Sequence, residues 1–123
     1  MATETVNVDL TSAQGLRALQ PVTNGEDWIL VVNVFNDGSA YDLDGETASM
    51  AIKDRWGGEM LTATGVASDD ADSVTSIVTF TFRESSMAML NAGSYTVAAR
   101  LTESPATRQL LLAKLPVRDG GFA

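Results

Sequence analysis

Asp42, Asp44 and Glu46 alternate within residues 36–46, NDGSAYDLDGE, and Gly45 follows Asp44. Carboxylates at that spacing are hard oxygen ligands of the kind calcium takes, and a D-x-D-x-D-G loop wraps them around the ion. Here the third early ligand and the distant bidentate glutamate are missing. A turn accounts for the same residues. Asn36-Asp37-Gly38 is a strong hairpin signal. Tyr41 and Leu43 can face a core while Asp42 and Asp44 face water, as the strand period of two requires. Gly45 then opens the next turn. Asp69, Asp70 and Asp72 in DDADS raise the same alternatives, a shared cation or a solvated hairpin tip. In both places the turn is the expectation, with no metal and no cofactor.

Catalytic chemistry has little to work with. The chain holds no histidine and no cysteine, so the commonest general base, the thiolate nucleophile and the thiolate metal ligand are missing. No G-x-S-x-G elbow and no glycine-rich phosphate loop is present. No catalytic residue is nominated, and the expectation is a protein that is not an enzyme.

The elements that must carry these loops follow from periodicity. Val6, Val8 and Leu10 alternate with Asn7 and Asp9, a half-buried strand. Residues 11–27 are irregular, although 13–19 can form a helical turn. WILVVNVF (28–35) reads as a central strand covered on both faces. TASMAIK turns Ala48, Met50 and Ile52 to one side, and Asp54–Gly58 is a hairpin connection into EMLTATGVA. VTSIVTFTF points Val78, Phe80 and Phe82 inward. SSMAMLNAG predicts a short helical turn near 85–92, with Ser85 or Ser86 as cap and Gly93 as its end. SYTVAARL and LLLAKLPV are the last strands, with a turn at Pro105 between them, and Pro116 marks an edge or an end.

Seven or eight short strands and no long crossover helix predict an all-β antiparallel β-sandwich, with a small barrel as the alternative. At 123 residues the chain is one domain, its ends at 1–5 and 119–123 flexible. Its net charge of −8, with only eight basic residues, argues against nucleic acid. Neither a membrane-spanning apolar stretch nor a signal peptide is expected.

Trp28 opens an apolar strand and belongs to the core, whereas Trp56 sits among glycines and charges at a hairpin tip. Trp56, Met60, Met87, Met89 and Phe122 are the candidate protein-interface residues. Trp56 with Tyr41 would instead suit a stacking platform for sugar.

The run GEDWILVVNVFNDGSAYDLDGETASMAIKDRWGGEML, together with Leu90-Asn91-Ala92-Gly93-Ser94-Tyr95, resembles the small immunoglobulin-like β-sandwich domains of tailed-bacteriophage virion proteins, of the baseplate and tail-fibre attachment type. The resemblance lies in the order of strands and turns over residues 24–117. It implies a structural virion protein, made in the host cytoplasm, whose partners are other virion proteins or copies of itself. In that family the domain often precedes a helix or coiled coil. Here the sequence stops at DGGFA, which fits a separate adaptor or decoration protein better. A carbohydrate-binding module or a capsid decoration protein is the alternative.

Overall fold

A computed structural model of the chain describes residues 2–11, 16–103 and 106–119. In chain order the strands are β1 (Ala2–Asp9), β2 (Arg17–Ala18), β3 (Val22–Thr23), β4 (Trp28–Asn36), β5 (Ser39–Ala40) and β6 (Thr47–Lys53). Then follow β7 (Glu59–Thr64), β8 (Val66–Asp69), β9 (Thr75–Phe82), the single turn of helix α1 (Glu84–Met87), β10 (Gly93–Glu103) and β11 (Ala106–Arg118). They form two sheets. One runs β1-β4-β9-β8, with β5 added to β4; the other runs β2-β11-β10-β6-β7, with β3 also on β11. Neither closes on itself, so the architecture is the expected sandwich and not a barrel.

Alternation along the strands builds the core. Trp28, Leu30, Val32 and Val34 of β4 and Val78, Phe80 and Phe82 of β9 face Met50, Ile52, Val97, Leu101 and Leu115 of the second sheet. Fully burying one side chain of this kind stabilises the fold by about 1.5–3 kcal/mol. Trp28 is completely buried and stacks on Phe82, their ring centroids 5.4 Å apart.

The sheets are mixed rather than purely antiparallel, which corrects the sequence reading. β1 runs parallel to β4, pairing Ala2 with Trp28 and Asp9 with Phe35. A parallel neighbour needs a long crossover. The segment from 10 to 27 supplies it; its described residues hold no helix and lay β2 and β3 parallel to β11 on the opposite sheet before the chain returns. Residues 2–5, expected to be loose, are therefore in a ladder.

Other local expectations also shift. The outer face of β4 (Ile29, Val31, Asn33, Phe35) is only half-buried, so the strand is not covered on both sides. Arg17–Ala18 is a strand where a helical turn was expected, and residues 12–15 lie outside the described residues. Neither serine caps α1. Arg83 occupies the cap position without a side-chain bond, and Asp27 Oδ1 accepts the N–H of Glu84 at 2.6 Å. Pro116 lies inside β11, in the gap between Lys114, which pairs with β2, and Val117, which pairs with β3. Its missing N–H costs no ladder bond on that edge. The turn at Pro105 lies outside the described residues.

Candidate protein interface

The hairpin between β6 and β7 is held by one carboxylate. Asp54 Oδ1 accepts the backbone N–H groups of Trp56 at 2.9 Å and of Gly58 at 2.8 Å. Gly57, at φ 82°, supplies the left-handed step. This clamp leaves Trp56 at the tip, 77% exposed, with the Arg55 guanidinium 4.2 Å from the ring centroid. Met60 follows at a bulge opposite Ile52 and Lys53, and is 41% exposed.

The five nominated residues do not form one site. Trp56 and Met60 share the β6–β7 edge, and Met89 is exposed beyond α1. Met87 is fully buried, so its nomination as an exposed contact is corrected. It sits in the last position of α1, where its backbone N–H bonds to Arg83 O, and its side chain turns into the core. Phe122 lies outside the described residues.

Two features of the same edge were not singled out from the sequence. Val66 is 67% exposed, and Gly65 before it is the point where one continuous segment leaves one sheet and joins the other. Gly65 N donates to Ala48 O at 2.8 Å while the chain passes directly over Val78. The available signal was the run MLTATGVAS (60–68), which has no charge and no proline.

The acidic loops gather at the other end of the sandwich. Asp37 (φ 52°) and Gly38 (φ 82°) form the two-residue turn between β4 and β5. Asp9, at the end of the parallel β1, accepts their N–H groups at 3.1 and 2.9 Å. It also accepts the hydroxyl and N–H of Thr11 at 2.6 and 2.9 Å. These bonds, the Thr11 hydroxyl foremost, hold the Asp9 carboxyl at a pKa of about 2. Asp42 Oδ1 accepts Asp44 N, and Leu43 is buried between them. In the neighbouring tip Asp70 accepts the N–H groups of Val74 and Asp72 and the Ser76 hydroxyl, and Val74 foremost lowers its pKa. Asp42 and Asp70 hold their own turns, and Asp9 holds the turn at Asp37-Gly38. Among the described residues no three acidic groups converge as a metal would need.

An open depression of about 400 Å³ lies on the outer face of the second sheet, its floor made by Ser49, Ala51, Thr62 and Ala98, with Lys53 and Arg100 at its sides. The proposed sugar platform is not assembled. Tyr41 precedes β6 and Trp56 follows it, so a seven-residue strand of roughly 20 Å separates them.

No protein-family model matches the chain, and no curated protein matches it in sequence. Its fold does match a solved one. The N-terminal domain of phage TP901-1 ORF48 superposes with a TM-score of 0.63 over 96% of this chain and 99% of that one, at 10% identity. The two share a fold end to end. CopC from Methylosinus trichosporium OB3b matches with a TM-score of 0.38 over 64% of this chain and 72% of its own, at 20% identity, too little for any argument.

Proposed function

We propose that the protein is a non-enzymatic structural component of a tailed-phage virion. It acts as an adaptor or attachment part of the tail, baseplate or fibre assembly, through protein–protein contacts. Other virion proteins or further copies of the chain are its partners, and it needs neither nucleic acid nor membrane. It is made in the host cytoplasm and ends in the particle. The observation that carries this reading is the end-to-end match to a domain of a phage protein, with almost nothing left over on either side. The exposed Trp56 at a carboxylate-clamped tip adds to it, because tryptophan is enriched where interfaces concentrate their binding energy.

A carbohydrate-binding module is disfavoured by the separation of Trp56 from Tyr41 and by the burial of Trp28 and Tyr95. A capsid decoration protein would use the same kinds of contact elsewhere on the particle. The test is to express the tagged chain during phage growth and identify what co-purifies. Tail, baseplate or fibre proteins in fixed ratio support the reading. Capsid protein alone moves the chain to the head, and binding on a glycan array with no virion partner replaces the reading.

A further inference from the structure

The free edge of the second sheet is built without the usual protection. Exposed edge strands are normally blunted by charges, prolines or a covering element. β7 is the last strand of its sheet, and residues 60–68 carry no charge and no proline. The charge of Glu59 at its start and a single bulge at Met60 are the only such devices along β7. Among the described residues, three of the five large exposed apolar ones, Trp56, Met60 and Val66, lie on this one segment and its turn.

The direction of the backbone groups is fixed. Gly65 N bonds to Ala48 O, and Ser49 faces Thr64. In an antiparallel pair alternate residues point their N–H and C=O toward the partner. Gly65 and Ala63 therefore point at β6, and Thr62 and Thr64 point both groups outward, to an edge that no described residue covers.

We infer that this edge pairs with the same edge of a second copy, antiparallel, about a two-fold axis at Ala63. In that register Thr62 of each copy faces Thr64 of the other, and their outward backbone groups make four hydrogen bonds. Ala63 faces its counterpart. Met60 of one copy comes near the point where the second copy's chain leaves the sheet at Gly65, so exposed apolar side chains flank the paired stretch. Glu59 lies away from the axis, so no like charges oppose one another along the ladder, which the single segment achieves because its uncharged run is centred close to the axis. A two-fold contact must be self-complementary in this way, and opposed threonines stabilise a strand pair. The second sheets of the two copies become one continuous sheet. The inference goes beyond the virion reading and does not depend on it.

Salt gives the contact a signature. Each copy carries −8 and residues 60–68 carry no charge, so screening should strengthen the dimer, whereas docking of acidic loops on basic side chains would weaken. The test uses the full chain in sedimentation at low and high ionic strength, with variants. The expected result is a concentration-dependent dimer, tighter in salt. Thr62→Pro should abolish it while leaving the fold, because proline is tolerated where the N–H faces solvent on an edge strand. Met60→Lys should weaken it at least tenfold. The chain has no cysteine, which permits a test independent of those variants. Facing residues of a non-hydrogen-bonded pair lie about 4.5 Å apart at Cα, within disulfide reach. Ala63→Cys should cross-link copy to copy under mild oxidation, and Ser68→Cys should not. A monomer at all concentrations, equal cross-linking of both cysteine variants, or a dimer that salt dissociates would each overturn the inference. So would a chain that stays monomeric alone and instead accepts an unrelated extended peptide along the edge.

Discussion

A β-carbon placed on Gly65 would stand 2.4 Å from Cγ1 of Val78. Ala48 Cβ and Phe80 Cε1 would follow at 3.0 Å. The closeness comes from the topology. One segment leaves the edge of the second sheet as β7 and joins the first as β8, and at the crossing its backbone lies directly on the core.

Gly65→Ala should therefore destabilise the protein by about 1–3 kcal/mol through overpacking. Val78→Ala in the same chain should recover part of that loss, because it removes the nearest clashing atom. Denaturant melts of the two single variants and the double variant check this. Additive losses would place the strain elsewhere.

Trp28→Ala should cost about 3–5 kcal/mol, since a fully buried ring stacked on Phe82 is lost. Trp56→Ala should fall within about 0.5 kcal/mol of the parent, as surface substitutions do. Equal losses in thermal or denaturant melts would contradict the assignment of the two rings.

Asp27→Ala should fray α1. Asp27 is the only described side chain seen to take up the N–H of Glu84, and a lost helix cap costs about 0.5–2 kcal/mol. Amide exchange at 84–87 should quicken while exchange in β4 and β9 changes little.

Acid should weaken the fold through Asp9. Its folded pKa of about 2 lies below the ordinary value of 3.8, so the unfolded chain takes up the proton first. The stabilisation is complete above the unfolded value and disappears as pH falls toward about 2. Asp9→Asn should flatten the acid limb of a stability-against-pH curve across that window. An unchanged limb would show that the turn at Asp37-Gly38 does not depend on the carboxylate.

Periodicity made much of the sandwich legible. The alternations of β6, β9 and β10 place Met50, Phe80 and Val97 inward as the spacing requires, and Asn36-Asp37-Gly38 forms the turn its residue types demand. What stayed hidden depends on partners distant in sequence. Nothing in ATETVNVD says that its neighbour runs parallel. Leu110 and Leu111 are both buried although adjacent, because the β10–β11 register shifts and leaves Leu110 as the extra residue. Met87 and Met89 have the same side chain and opposite fates, decided by which side of α1 meets the core. At the edge, Trp56 and Met60 were visible as apolar residues in polar company. Val66 was not, because a valine after a glycine in a β-rich run reads as core until the strand is seen to switch sheets.

The proposed role as a structural part of a tailed particle can be measured directly. The direct measurement is quantitative mass spectrometry of gradient-purified phage particles from a culture that expresses the chain, with tails separated from heads. The expected result is the protein in the tail fraction at a fixed number of copies per particle, retained after washing in high salt. Its absence from intact particles, with the protein remaining free in the lysate, would contradict that role.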